Sequence, residues 1–469
     1  MKNKYHFIAI GGVGMSGLAK YLLQNGYEVS GSDICDSKYV QEVKRLGAKV
    51  TIGHNADNVP QNCIVVASTA IRDNNPEIQR AKQLGLPIWH RSDLLAEISK
   101  DEKYFIGFSG THGKTTTSGL CSYVMEKAGL KPSYIVGGII PEINTNANST
   151  QDKFFIAELD ESDGTIVKYS PNLVVVNNLE PDHLDFYKNG LESILETFEV
   201  FLSNLRKNAI VMANTDNEGV KRLVKYFSEH TLANNAKFVT YSIGGNTNYC
   251  AKNIHYSEDF TTFDIFYDGK FQTTLKISLK GVHNVYNSLA VWGSLHQSKI
   301  NMELVNKHFA TFCGMGRRFQ KIGEFDGISI YDDYAHHPTE IKATLSSSKS
   351  FKNRNVIAVF QPHRYTRLQN LWNEFMGAFS DVDRVIVTDV YAASEDPIEG
   401  VNSVAFTNEL KEKIDIPCEN IPGDMKNVAK KLFPTLKSGD IIIGLGAGTI
   451  TNLGKELLAL NEEKVKVGN

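Results

Sequence analysis

Along the chain, short apolar runs alternate with longer stretches in which apolar positions recur every three or four residues, the pattern of strand followed by helix. Three of the runs end in glycine loops that lead directly into a helical period. The first is HFIAI, then Gly11-Gly12-Val13-Gly14-Met15-Ser16-Gly17, then an amphipathic stretch over Leu18–Asn25. The second is YFIGF, then Ser109 to Thr117, then SGLCSYVMEKAG. The third is DIIIGLGAGTITNLG, residues 440–454. Such strand–loop–helix units predict an α/β protein.

Strand-like runs EVSGSD, CIVVAS and LPIWH alternate with helical ones before the second junction, as a small doubly wound domain requires. After it come FFIAELDESD, NLVVVNNL, a long helix over Leu191–Leu205, and AIVMAN. Between residues 236 and 280, the runs KFVTYSI, TTFDIFY and FQTTLKISL alternate and are bounded by Gly and Asn, which predicts antiparallel strands. From Gly316 onward the strand–helix alternation resumes through ISIYDDY, NVIAVFQ, RVIVTDVY and DIIIGLG. The domains expected are 1–96, 97–316 and 317–469, and the charged stretch after Leu458 is expected to fray.

Composition narrows the class. In 469 residues, 42% are hydrophobic and 22% charged, which excludes a mainly disordered or fibrous chain. Fifty basic against 53 acidic residues give a net charge of −3, so no bulk basic field draws in nucleic acid. No apolar run approaches membrane-spanning length, and the opening MKNKYHFIAI runs into a glycine loop as a strand does, not as a signal peptide. The six cysteines (Cys35, Cys63, Cys121, Cys250, Cys313, Cys418) show no metal-ligand spacing and are read as reduced thiols of a cytoplasmic protein.

Chemistry concentrates at the strand ends. In Gly110-Thr111-His112-Gly113-Lys114-Thr115-Thr116, glycines let backbone N–H groups approach a phosphate chain at a helix N-terminus. Lys114 supplies a point charge, and the Thr115 hydroxyl suits Mg²⁺. Phe108 stands where the usual pattern has its first glycine, so this is a variant loop. Glu158-Leu159-Asp160-Glu161-Ser162-Asp163 ends the run FFIA, and His183 follows the run NLVVVNN; oxygen and imidazole donors there fit metal ligation, against a solvated acidic loop and a structural histidine.

Gly12, Gly14 and Gly17 match a dinucleotide fingerprint, with Asp33 at a second strand end; the geometry holds any diphosphate, NAD included. An NAD-dependent oxidoreductase is therefore an alternative, although it leaves Lys114 and the Glu158 cluster without a use. Asn284 and Asn287 open a helix over Ser288–His296 and offer amides to a nucleotide or a cap. Arg317 and Arg318 stand at the second boundary, where guanidinium groups suit growing phosphate charge. His336, His337 and His363 lack the spacing of a zinc site.

FSGTHGKTTT, AELDESD, NNLEPDHLD, GVHNVYNSL, GMGRRFQ, YDDYAHHPTE and FQPHRYTR occur in the order found in the Mur ligases of peptidoglycan synthesis. From Gly11 to about Gly448 the chain resembles that family, and within it the branch that adds L-alanine. The resemblance implies a Rossmann-like N-terminal domain for UDP-N-acetylmuramate, a P-loop central ATPase domain and a Rossmann-like C-terminal amino-acid domain. It implies ATP and Mg²⁺ as cofactors, small-molecule substrates with no nucleic-acid or membrane partner, and a monomer or homodimer.

Carried onto this sequence, it makes Gly110–Thr116 the ATP loop, places Thr115, Glu158 and His183 around metal, and has Asn287, Arg317 and Asp332 at ATP. His336 and Arg364 would face the substrates. Gly12, Gly14, Met15, Ser16, Gly17 and Asp33 would serve the sugar nucleotide. The catalytic set would be Lys114, Glu158, His183, Arg317 and His336. A ligase that recycles a murein tripeptide onto UDP-N-acetylmuramate is the alternative within the family. Several Mur ligases carry a carbamylated lysine on the helix after the DHLD-type motif; here that helix has no lysine and Phe198 stands at the alignable position, as in the L-alanine-adding branch.

Overall fold

The computed structural model describes residues 3–68, 71–183, 186–230, 232–257, 260–348, 354–393 and 395–468. Three sheets organise them. Strands β1 (Lys4–Ile8), β2 (Glu28–Asp33), β3 (Lys49–Ile52), β4 (Ile64–Ala67) and β5 (Ile88–His90) form a parallel sheet of order β3-β2-β1-β4-β5. The order reverses beside β1, which opens a crevice at its carboxyl end, where the first glycine loop lies.

The second sheet has ten strands: β6 (Tyr104–Ser109), β7 (Ser133–Ile140), β8 (Thr145–Asn148), β9 (Phe154–Glu158), β10 (Leu173–Val176), β11 (Ile210–Asn214), β12 (Lys237–Ile243), β13 (Tyr249–Tyr256), β14 (Thr261–Tyr267) and β15 (Lys270–Ile277). Its order is β15-β14-β13-β12-β11-β10-β6-β9-β7-β8, so β6 lies between β9 and β10 and all three run parallel. Ile106, Phe108, Ile156 and Val175 are fully buried, as strands covered on both faces require.

The third sheet comprises β16 (Gln320–Phe325), β17 (Ile328–Asp333), β18 (Val356–Phe360), β19 (Arg384–Val387), β20 (Cys418–Asn420) and β21 (Ile441–Leu445), in the order β16-β17-β21-β18-β19-β20. All its pairs are parallel except β16 with β17. The first two sheets belong to one compact unit, Met1–His255 with Phe260–Cys313, and the third to another, Tyr256–Asp259 with Gly314–Asn469.

Several elements depart from the sequence reading. The first helix spans Val13–Gln24, beginning inside the glycine segment instead of at Leu18, with Gly12 as its N-cap. The Asn287 helix likewise begins early, at Val282, and runs to Gln297. KFVTYSI is parallel to both neighbours, β11 and β13, whereas the β14–β15 hairpin is antiparallel as expected. Strand β13 itself escaped notice because only its first three residues are buried, which leaves no alternation to read. The charged stretch after Leu458 is helical as far as Gly468, continuing a helix Leu453–Gly468 whose first turns are anchored by buried Leu453 and Leu457. Among the described residues no helix is long and apolar enough to cross a membrane.

Candidate active site

Strand β6 delivers the second glycine loop to the carboxyl edge of the central sheet, and the helix Lys114–Lys127 starts at once. Gly110 (φ 119°) and Gly113 (φ 83°) both hold left-handed backbone that side chains rarely adopt. A Cβ on Gly110 would stand 2.8 Å from the Asn178 carbonyl oxygen, and one on Gly113 would stand 2.8 Å from Asn287 Oδ1. The loop is clamped from β10: Thr111 N–H donates to the Asn178 carbonyl (3.0 Å) and His112 N–H to Asn178 Oδ1 (2.7 Å). Asn177 Nδ2 reaches the Thr117 hydroxyl at 3.3 Å. The N–H groups of Thr111 and His112 are thereby used, and those of Lys114, Thr115 and Thr116 open the helix. His112 Nε2 lies 3.7 Å from Glu180.

Lys114 Nζ donates to the Gly110 and Thr111 carbonyls (2.8 and 3.1 Å) and lies within 3.0 Å of both oxygens of buried Glu161. Burial opposes the lysine's charge, but Glu161, Asp160 and Glu158 outweigh it and hold the ammonium well above its ordinary pKa. Burial pushes the Glu161 carboxyl up in turn, against the pull of Lys114. The Tyr187 hydroxyl donates to the Glu161 carbonyl, which fixes the acidic loop.

Thr115 Oγ1 donates to Glu158 Oε2 at 2.9 Å, and Gly137 N–H donates to the same oxygen at 3.0 Å. A Cβ on Gly137 would come within 2.3 Å of that oxygen, so this glycine makes room for the carboxylate. A hydroxyl and a carboxylate converging beside a phosphate loop fit a hard divalent cation that keeps most of its waters. Among the described residues no group of three His, Cys, Asp or Glu side chains is placed to hold a metal ion. His183 has left-handed backbone (φ 51°) and its N–H donates to Asp182 Oδ1; its ring is close enough to influence Glu161 electrostatically. Asn287 is buried, and its amide donates to Asn284 Oδ1. Phe198 is fully buried against Phe201, so this helix face serves packing at the position where the resemblance raised a modified lysine.

At the first glycine loop, Asp33 Oδ2 accepts the Gly11 N–H at 2.8 Å and steadies the turn. Met15 and Ser16 are buried, and the Ser16 hydroxyl bonds to the Val13 carbonyl. These two can therefore offer a ligand only backbone, and the Ser16 N–H is already taken by the Gly12 carbonyl. Gly17 packs on Asn146, whose amide donates to the Val13 carbonyl and accepts from buried Lys20.

In the second unit Arg317, with left-handed backbone (φ 61°), donates from Nε to Asp332 Oδ2 (3.2 Å) and from Nη2 to the Gly446 carbonyl (2.7 Å). The third glycine loop thus turns carbonyls toward a cation, the reverse of the phosphate loop. Thr451 also donates to Asp332. His336 donates from Nδ1 to the Tyr334 carbonyl at 2.9 Å, and its ring lies 5.7 Å from that of His363. Burial pushes His336 down to about 4 and His363 down to about 3, leaving both neutral at physiological pH. Burial likewise raises Asp333 to about 6. Arg364 pairs through Nε with Glu395.

The structure gathers Lys114, Thr115, Glu158 and Asn287 around one loop, and Arg317, Asp332 and His336 around another strand end. Sequence reasoning passed over Asn177 and Asn178 as site-builders and did not single out Glu161 as the partner of Lys114, although all three sit in the motifs quoted above; Gly137, in β7, lies in none of them.

The chain matches the sequence profiles of the Mur ligase family catalytic domain over residues 4–103, the Mur ligase middle domain over 108–295, and the Mur ligase glutamate ligase domain over 317–448. It is 39% identical over 455 residues to a UDP-N-acetylmuramate–L-alanine ligase of Geotalea daltonii, covering 97% of both chains. It is 38% identical to the protein of that name from Geobacter sulfurreducens, covering 98% of both. Among solved structures, a UDP-N-acetylmuramate–alanine ligase of Thermotoga maritima superposes with a TM-score of 0.83 at 27% identity, over 98% of this chain and 99% of that one. A murein peptide ligase of Psychrobacter arcticus shares the fold at 19% identity and a TM-score of 0.70, over 97% and 98%.

Proposed function

The chain belongs to the Mur ligase family, and from that membership and the loops described above we propose that it joins L-alanine to the lactyl carboxylate of UDP-N-acetylmuramate, using ATP. UDP-N-acetylmuramate is assigned to 1–96, ATP to 97–316 and the amino acid to 317–469. Mg²⁺ is assigned to Thr115 and Glu158 with His183 beside them; when bound it supplies charge neutralisation at the nucleotide's phosphates. The chain is assigned to the cytoplasm, as a monomer or homodimer acting on small molecules.

A carboxylate is a poor electrophile, so the reaction needs activation. Transfer of the ATP γ-phosphoryl group to the lactyl carboxylate gives an acyl phosphate and ADP. The transferring group carries spread negative charge, and positioning with charge stabilisation is the protein's main task. Lys114 supplies a preorganised cation at the loop, its carboxylate partner Glu161 keeping it protonated. Helix N–H groups from Lys114 to Thr116 supply dipoles of the same sign. In the second unit, Asp332 and the Gly446 carbonyl hold the guanidinium of Arg317, which the family resemblance assigns to ATP.

The amine of L-alanine then attacks the acyl carbon: the C–N bond forms, the C–O bond to phosphate breaks, and phosphate leaves with the electron pair. Of the two protons the ammonium loses, one passes to a base and one to the departing phosphate. His336 donates its Nδ1 proton to Tyr334, so its Nε2 lone pair is available to accept an N–H from the amine. A site that pushes imidazole to about 4 favours the neutral amine for the same reasons, so His336 orients the nucleophile more than it stores its proton.

The observation that carries this reading is the meeting of Lys114, Thr115 and Glu158 on one glycine loop, which a redox enzyme has no use for. The relatives favour neither the NAD-dependent oxidoreductase nor the tripeptide-recycling ligase. A coupled ADP-release assay with UDP-N-acetylmuramate, ATP and a panel of amino acids tests it: turnover is expected with L-alanine and to need all three substrates. Turnover with a murein tripeptide and none with L-alanine would overturn it.

A further inference from the structure

The segment that ends β5 and opens the next helix, His90-Arg91-Ser92-Asp93, crosses from the first sheet to the acidic loop of the central one. His90 caps the helix Arg91–Lys100, with Asp93 accepting the His90 N–H at 2.8 Å. Lys168, beyond the acidic loop, donates to Asp93 at 2.6 Å. The capping places Arg91 at the first helical position, and one end of its guanidinium, Nη2, pairs with Asp160. The other oxygen of Asp160 accepts the Ser162 N–H at 3.1 Å, so the carboxylate cannot follow Arg91 elsewhere without breaking its own loop.

The other end of the guanidinium points to the first glycine loop. Arg91 Nη1 lies 3.9 Å from where a Cβ on Gly14 would stand, beside the N-terminal turn of the helix Val13–Gln24. Neither Nη1 nor Nε donates to any described residue, although the side chain is only 29% exposed. Neither of these nitrogens is among the buried unpartnered polar atoms of the described residues, so the three N–H donors face solvent and are free to take a ligand's oxygens in place of water. The helix turn beside it is itself fixed: Asn146 holds the Val13 carbonyl and Lys20 holds Asn146. What can seat there is an anion, matched both by the helix dipole and by the guanidinium fork.

We propose that Arg91 is a substrate-binding residue that grips an anionic group of the sugar nucleotide with Nη1 and Nε while Nη2 stays on Asp160. This rests on the function proposed above and adds to it a residue that none of the glycine-loop motifs contains. The grip ties the seated substrate to the loop that carries Glu161, the partner of Lys114. The anionic oxygens are those of the diphosphate or of the lactyl carboxylate.

Calorimetry on the full-length chain decides the matter, using UDP-N-acetylmuramate, UDP-N-acetylglucosamine (which lacks the lactyl carboxylate) and a non-hydrolysable ATP analogue. Arg91→Ala should weaken UDP-N-acetylmuramate at least about tenfold, as loss of a charge-assisted contact does, and leave the ATP analogue within about threefold. An equal loss for both sugar nucleotides assigns the grip to the diphosphate; a loss confined to UDP-N-acetylmuramate assigns it to the carboxylate. Arg91→Lys keeps the buried charge beside Asp160 but not the fork, and covers the case in which the alanine variant does not fold; a loss of about fivefold is expected. Unchanged sugar-nucleotide affinity in either folded variant would overturn the inference. Failure of the unaltered chain to bind UDP-N-acetylmuramate would instead overturn the proposed function, and the inference with it.

Discussion

The first and second glycine loops share a blueprint, strand into loop into helix, yet they use their glycines for different ends. In the second loop Gly110 and Gly113 are demanded by the protein itself, through positive φ and the close approach of Asn178 and Asn287. The loop carries its own cation, Lys114, and that cation's counter-charge, Glu161. In the first loop Gly12, Gly14 and Gly17 have ordinary backbone, and no lysine stands among them. Outside its own helix, the nearest described neighbour to the missing Cβ of Gly14 is Arg91. One loop is built around internal electrostatics suited to a charge that moves during reaction; the other leaves a helix terminus open to a charge that only has to be held.

That contrast is most exposed to test at Lys114. Lys114→Ala is expected to lower ligase turnover about 100-fold or more, as removal of a preorganised electrostatic contact does. It should also destabilise the protein by about 3–5 kcal/mol, because Glu161 is left buried without its partner. Adding Glu161→Gln should restore most of the stability and none of the turnover; urea unfolding beside the coupled assay reads both. Glu158→Gln is expected to raise the Mg²⁺ concentration needed for half-maximal turnover about tenfold, leaving sugar-nucleotide affinity unchanged in calorimetry.

Gly113→Ala imposes a left-handed alanine, costing about 1–2 kcal/mol before the clash with Asn287 is counted, and should weaken ATP-analogue binding in calorimetry. Gly14→Ala is the counterpart and the smallest effect. Alanine is favoured over glycine within a helix, so thermal unfolding should show a gain of roughly 0.5–1 kcal/mol. Sugar-nucleotide binding should nevertheless weaken, because the new methyl stands where the ligand meets the helix. A Gly14→Ala chain with unaltered affinity would dissolve the contrast between the loops.

Much of this was legible in the sequence because strand-end loops announce themselves. Lys114, Thr115 and Glu158 could be named from a glycine pattern and an acidic run, and the structure joins them. Asn177 and Asn178 were quoted as part of a motif, but their clamp on the loop is a contact across some 60 residues of sequence that no local pattern encodes. Met15 and Ser16 read as loop residues because glycines surround them, and prove to be buried first-turn helix. The third glycine loop follows the same strand–loop–helix pattern as the phosphate loop, yet Gly446 offers its carbonyl to Arg317. Composition can mark a close backbone approach; only the φ angles decide which end of the peptide dipole faces inward. Arg91 gave no signal, since a lone arginine after a strand is usually surface.

The central claim, that ATP activates the sugar nucleotide's carboxylate as an acyl phosphate before the amine attacks, is reached most directly by isotope transfer. UDP-N-acetylmuramate labelled with oxygen-18 in the lactyl carboxylate, incubated with the chain, ATP, Mg²⁺ and L-alanine, should release inorganic phosphate carrying one labelled oxygen for each amide formed. Amide formation with unlabelled phosphate would contradict it.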